Sequence, residues 1–526
     1  MKVLVMDGVS ERGLAPLRQH QDIELVIGQK MTEDELVEVI GQYDGMIVRS
    51  ATKVTARVVE AAAKLKVIGR AGVGVDNIDK AAATNKGILV VNAPDGNTIA
   101  AAELTMAMML GLARKVPMAC SKLKNGCWDK KAFLGVELRG KTLGVIGLGR
   151  IGSAVAKRAQ AMEMNIIAYD PYISEEHAKK MAIEIVTLNE LFNRADIITI
   201  HMPKTKETYH MINKEALEIM KEGVRIINCA RGGIVDEAAL YEYMAAGKVA
   251  GAALDVFETE PCTESPLLQL DNFIATPHLG ASTEEAQINV AVDVAEEIVS
   301  ALRGELVKNA VNLPSMSPKL LAKIRPFLDL AEKLGKFQAQ MLNGRIEKVE
   351  AVYSGELARY DVNPITTILL KGLLDPILQE NVNFVNAPTV ARNRGITVVQ
   401  TTTDNAEDYN NLITVTVYTD KGKRILAGTM FQGNDPRIIN IDGYRINAAI
   451  SGHMLVVPHI DKPRIVGKVG TVVGDKDINI AGMQVGRIEL GGKAIMVLMV
   501  DNIVPQCALD ELAKIDGVLE VKMVSL

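Results

Sequence analysis

"TLGVIGLGRIGSAV", Thr142 to Val155, decides how the rest of the chain is read. An apolar run ends in Gly147-x-Gly149-x-x-Gly152, and a helical pattern opens on those glycines. The first glycine permits a tight turn, the second lets a pyrophosphate reach the backbone, and the third lets helix and strand pack closely. Arg150 and Ile151 belong to the helix start, where an anion is stabilised by free amides and the helix dipole. Glycine-rich turns are common, so the motif alone is weak. Eighteen positions after Gly152, however, the next apolar run, "NIIAYD", ends at Asp170. That spacing suits the acid that binds the adenosine ribose, and a carboxylate there repels a 2′-phosphate, which predicts NAD rather than NADP. A structural turn with a surface aspartate is the alternative.

The same alternation of apolar runs and helical patterns extends both ways. Before the motif come "KVLVMD", "IELVIG", "DGMIVRS", "LKVIGRAG" and "ILVVNAP"; after it come "ADIITIHMP", "GVRIINCARGG", "VAGAALDVF" and "NFIATPHLG". This predicts an α/β fold of two doubly wound parallel-sheet modules, joined by one long helix from about Ile99 to Lys124. The stretch "LPSMSP", Leu313 to Pro318, marks a boundary. Beyond it, residues 319–451 begin helical and turn strand-like, an α+β region. From Met454 the order strand, helix, strand, strand, helix, strand is ferredoxin-like. The expected division is residues 1–97 with 285–315 for the substrate module, 98–284 for the dinucleotide module, 316–451 for an intervening unit and 452–526 for the last.

A chain of 526 residues suits three or four domains. Its formal net charge of −5 gives no general attraction to nucleic acid, so any anion site is local. The start "MKVLVMDGVS" reads as a strand and not as a signal peptide, and no apolar run has the length of a membrane span. Five cysteines without CxxC spacing argue against a disulfide framework or a zinc site, call for no metal, and point to the cytoplasm.

Three side chains fall near strand ends of the second module: Arg231 in "INCARGGIVDE", Glu260 in "ALDVFETEPC" and His278 in "ATPHLGAST". Ligands gather beyond the carboxyl ends of parallel strands, so the three can share one crevice. Singly, Arg231 would pair with Asp236, Glu260 would be a solvated loop acid, and His278 would cap the helix expected from about Ser282. Together they supply a cation for a carboxylate, a base for a hydroxyl proton and an acid to orient that base, which is what hydride transfer from a hydroxy acid needs.

The motifs "GVIGLGRIG…YD", "NCARGGIVDE", "GAALDVFETEP" and "TPHLGAST" resemble the D-isomer-specific 2-hydroxyacid dehydrogenases, most specifically over residues 44–285. The whole chain resembles the long-form phosphoglycerate branch of that family, with an intervening domain and an ACT domain. The resemblance implies NAD-dependent oxidation of 3-phospho-D-glycerate to 3-phosphohydroxypyruvate, the first step of L-serine biosynthesis. It assigns His278 as acid/base, Glu260 as its partner and Arg231 as substrate clamp. Cys229, Ala230, Asp255, His278 and Gly280 would line the nicotinamide pocket, with Cys229 a packing residue and no nucleophile. Arg49 and Arg70, which on their own read as surface charges, would hold the substrate phosphate. The backbone at Val73 and Gly74, and Asn97, would meet other substrate oxygens. Met202 departs from the hydroxyl residue that relatives often place near the cofactor.

In the ACT unit, His459, Asp461 and Asn479 would face an effector such as L-serine, although Arg464 stands where the family usually has glycine. A dimerisation unit without ligand is the other reading. Arg445 would join an anion site or be a plain exposed charge. The resemblance also implies a homo-oligomer, a tetramer. The competing functions are another 2-hydroxyacid dehydrogenase, acting on lactate or glyoxylate, and an NAD-sensing interaction protein of the same fold.

Overall fold

The computed structural model describes residues 1–305, 307–313, 318–378, 382–431 and 435–526; of the boundary expected at 313–318, residues 314–317 lie outside the described residues. Five strands, β1 (Lys2–Val5), β2 (Glu24–Ile27), β3 (Gly45–Val48), β4 (Val67–Arg70) and β5 (Leu89–Asn92), form a parallel sheet in the order β2-β1-β3-β4-β5. β3 and the first three residues of β4 are buried throughout, which is why they read as unbroken apolar runs rather than alternating ones.

A second parallel sheet holds β6 (Thr142–Ile146), β7 (Asn165–Tyr169), β8 (Glu184–Ile185), β9 (Ile197–Ile200), β10 (Val224–Asn228), β11 (Val249–Leu254) and β12 (Phe273–Ala275). Its order is β12-β11-β10-β9-β6-β7-β8. The strand order reverses between β6 and β9, the switch point beyond whose carboxyl ends ligands gather in open α/β sheets. β8 was not anticipated; two residues carry too little pattern.

Two helices cross between the sheets. Thr98–Ala113 leaves the first and packs Met106, Met109 and Leu112 into the core of the second. Glu284–Leu302 returns and lays Val290, Val294 and Ile298 on the first. The single helix expected from Ile99 to Lys124 is in fact two, Thr98–Ala113 and Val116–Lys124. Lys115 between them has φ +54, and Pro117, with no N–H to donate, fits only the first turn of a new helix.

The intervening region carries a six-stranded sheet of β13 (Ile346–Gly355), β14 (Thr397–Thr403), β15 (Asn411–Thr419), β16 (Gly422–Phe431), β17 (Asp435–Ile441) and β18 (Tyr444–Ala449), in the order β14-β13-β15-β16-β17-β18. The last unit, β19 (His453–Ile460), β20 (Ile480–Arg487), β21 (Lys493–Val500) and β22 (Lys522–Ser525), is antiparallel in the order β20-β21-β19-β22, with helices Ile465–Gly474 and Gln506–Ala513. That is the ferredoxin-like arrangement.

Candidate active site

The glycine loop leaves β6 with Gly147 at φ +93, a left-handed conformation that favours glycine. A Cβ on Gly152 would lie 1.9 Å from the Gly147 carbonyl oxygen, so helix Arg150–Ala161 approaches the strand only because that residue has no side chain. A Cβ on Gly149, the N-cap of that helix, would meet nothing within 4 Å, leaving its face open to a pyrophosphate. Asp170, after β7, accepts the Leu148 amide on Oδ2 at 2.8 Å and the Tyr172 amide on Oδ1 at 2.8 Å. Its oxygens keep further lone pairs, so the residue stitches the loop and can still accept other donors. Arg150 reaches back to Asp95 in an ion pair between the modules. Ile151 packs on the core beneath the loop, and Met202 lies against Gly147.

Asp255 follows β11 and organises the loop that carries the histidine. Its carboxylate accepts the Leu279 amide at 2.7 Å, the Gly280 amide at 2.9 Å and the Thr276 hydroxyl at 2.5 Å. Burial pushes its pKa up against those bonds. The His278 amide donates to the Asp255 carbonyl at 2.9 Å, and the residue takes φ +57. So held, His278 sets Nδ1 2.8 Å from Glu260 Oε2, while Glu260 Oε1 accepts the Phe257 amide at 3.1 Å. Burial raises the Glu260 pKa, but the bonds from His278 and Phe257, with the nearby His278 and Arg231 charges, outweigh it and hold the carboxyl below its ordinary value. Thr283, not His278, caps the following helix by accepting the Ala286 amide at 3.1 Å.

Arg231 does not pair with Asp236, which instead caps helix Glu237–Ala245 through the Ala239 amide at 2.9 Å. It reaches across the crevice, and its Nε donates to Asp76 Oδ2 at 3.2 Å. Arg70 is pushed down to about 10 by burial first, then by the charges of Arg231 and Arg49. The guanidiniums of Arg231 and Arg49, from different sheets, thus both repel that of Arg70, with Asp76 and Asp7 offsetting part of it, and a bound anion would relieve the rest. Arg70 Nε, Asn97 Oδ1 and Thr98 Oγ1 are buried without a hydrogen-bond partner among the described residues. Buried polar atoms without partners are uncommon, and an unpartnered nitrogen on Arg70 suits a polar ligand. A Cβ on Gly74 would lie 2.1 Å from Arg231 Nη2, so glycine lets the guanidinium rest on the backbone. The Val73 carbonyl accepts Asn92 Nδ2 at 2.6 Å, and the Arg49 amide donates to Asp7 Oδ2 at 2.8 Å.

Burial pushes the Cys229 thiol up to about 12, and its Sγ lies 3.4 Å from Met108 Sδ. It packs as a neutral thiol. The next residue, Ala230, donates its amide to Asn228 Oδ1 at 2.9 Å.

Comparison with known proteins meets this geometry. Family models match residues 106–280 as the D-isomer specific 2-hydroxyacid dehydrogenase NAD binding domain, 323–442 as the D-3-phosphoglycerate dehydrogenase intervening domain, and 453–517 as an ACT domain. A D-3-phosphoglycerate dehydrogenase of Methanocaldococcus jannaschii is 50% identical over 100% of this chain and 100% of its own. The chain belongs to the D-3-phosphoglycerate dehydrogenase family. A Bacillus subtilis D-3-phosphoglycerate dehydrogenase is 45% identical over 100% of this chain and 99% of its own. The solved D-lactate dehydrogenase of Aquifex aeolicus with NAD and lactic acid is 33% identical with a TM-score of 0.52, covering 60% of this chain and all of that one.

A small ACT unit ends the chain. His459, near the end of β19, is 1% exposed, sets Nδ1 3.0 Å from the Val457 carbonyl and has no partner for Nε2 among the described residues. Asp461 accepts Arg487 Nη1 at 3.1 Å, and Asn479 donates to Asp501 Oδ2 at 2.9 Å. Arg464 has φ +74, the left-handed backbone that explains why glycine would be at home there. Arg445 is exposed, with Asp408 at 3.7 Å. Sequence reasoning did not single out Asp76 or Thr276. Asp76 lies in the same "RAGVGVDNID" stretch as Arg70, but its partner is 155 residues away in the chain.

Proposed function

We propose that the chain oxidises 3-phospho-D-glycerate to 3-phosphohydroxypyruvate with NAD, opening L-serine biosynthesis, in the crevice between the two parallel sheets. Three guanidiniums, Arg49 and Arg70 from the first sheet and Arg231 from the second, suit a substrate with two anionic groups. Arg49 and Arg70 hold the phosphate, because guanidinium forks match phosphate oxygens in pairs. Arg231 takes the carboxylate, with the backbone at Val73 and Gly74 and the side chain of Asn97 completing the grip.

NAD, when bound, supplies the acceptor for the C2 hydride. Gly147, Gly149, Arg150, Ile151 and Gly152 cradle its pyrophosphate, Asp170 its ribose, and Cys229, Ala230, Asp255 and Gly280 wall the nicotinamide. His278 does the proton work. With Nδ1 turned to Glu260, its Nε2 faces the crevice and takes the C2 hydroxyl proton as the C–H electron pair leaves and the carbonyl forms. Ionised Glu260 stabilises the imidazolium that results.

The crevice divides residues 1–97 with 285–315 from residues 98–284; residues 316–451 and 452–526 are the intervening and ACT domains. His459, Asp461 and Asn479 face a small-molecule effector, with L-serine the candidate to test. Val116, Leu123, Trp128 and Leu134 are exposed apolar side chains within one stretch of chain, which suits pairing with a second copy, and we read the enzyme as a cytoplasmic tetramer. NADH formation from a panel of D-2-hydroxy acids, with and without a 3-phosphate, tests the assignment. Phosphoglycerate should exceed glycerate, lactate and glycolate in kcat/KM; equal rates across the panel would refute it.

A further inference from the structure

Arg231 spends its guanidinium unevenly. Nη1 is tied to the carbonyl of its own neighbour Ala230 at 2.7 Å, Nη2 rests against Gly74, and Nε donates to Asp76 Oδ2 at 3.2 Å. A carboxylate gripped in two parallel bonds needs one edge of the guanidinium, and with Nη1 tied back the available edge is Nε and Nη2. Asp76 lies on that edge. It belongs to the loop between β4 and helix Lys80–Asn85, so the bond spans the crevice from one parallel sheet to the other. The Asp76 side chain is 79% exposed, and no other ion pair of it is present among the described residues.

We infer that Asp76 is an internal surrogate for the substrate carboxylate, a positioning residue that holds Arg231 in the free enzyme and gives it up when the hydroxy acid binds. Binding is then an exchange of one carboxylate for another on Arg231. The cation stays extended across the crevice between turnovers, at the expense of some affinity for the acid. An exposed ion pair contributes little, so the exchange is easy and the competition mild. This inference rests on the role of Arg231 under the proposed function.

The test is calorimetry of 3-phosphoglycerate binding to the full chain with NADH in place of NAD, a pair that cannot react and so reads binding apart from turnover, together with KM for acid and for NAD. Asp76→Asn should tighten 3-phosphoglycerate by about two- to fivefold, the range an exposed ion pair commands, and leave KM for NAD where it was. Asp76→Glu, which keeps the charge, should restore weaker binding. Weaker or unchanged binding in Asp76→Asn overturns the surrogate role. A loss in which acid and NAD weaken together also overturns it and makes Asp76 structural. Turnover separates this from the proposed function: an inactive wild type that binds the acid contradicts that function alone, and a wild type that does not bind it contradicts both.

Discussion

Two histidines at strand ends face opposite circumstances. His278 sits in a loop beyond β12, 47% exposed on its side chain, with a carboxylate 2.8 Å from Nδ1. His459 sits within β19, 1% exposed, with a backbone carbonyl 3.0 Å from Nδ1 and no hydrogen-bond partner for Nε2 among the described residues. The difference teaches that a proton carrier needs a partner that welcomes its charge and a path to the reacting atom. The buried ring has neither; its unpartnered nitrogen is suited to a ligand and not to turnover.

Mutation of both positions should separate them most widely. His278→Ala is expected to lower kcat by about 10²–10⁴ with the NAD Kd unchanged, whereas His459→Ala should leave kcat within about twofold and alter only the response to L-serine. A comparable kcat loss at both positions would break the contrast. Asp170→Ala comes next. It removes hydrogen bonds from a charged acceptor that also holds the Leu148 amide, so KM for NAD should rise by about ten- to a hundredfold and the preference over NADP should shrink.

The cysteines sharpen the same point about burial. With its thiol raised to about 12, Cys229 carries almost no thiolate at pH 8, since the ionised fraction grows only as pH approaches the raised value. Iodoacetamide at that pH should label the exposed Cys120, Cys127 and Cys507 and spare Cys229, as read by mass spectrometry. The smallest effect is expected at Arg464→Gly, which trades left-handed strain for glycine entropy. Stability of the ACT unit should rise by no more than about 1 kcal/mol in a urea titration.

The glycine loop was legible because its chemistry is local: Gly147, Gly149 and Gly152 lie within one turn, and Asp170 directly follows the next strand. The His278 and Glu260 pair was legible only as residue types, since eighteen positions of chain separate them and the loop ordered by buried Asp255 sets their distance. Arg231 shows where reading stops. Asp236 was the near acid in sequence, but capping its own helix claimed it, and the real partner came from another sheet. The break at Lys115 had a visible sign in Pro117, which fits only a first helical turn.

The central claim is that cations of one sheet and the proton carrier of the other act on a single substrate. It is tested most directly by kcat/KM for 3-phosphoglycerate and for D-glycerate in the wild type and in Arg70→Ala. The account predicts that Arg70→Ala lowers the value for 3-phosphoglycerate by about ten- to a hundredfold and barely changes that for glycerate. Equal losses on both acids, or no loss on either, would contradict it.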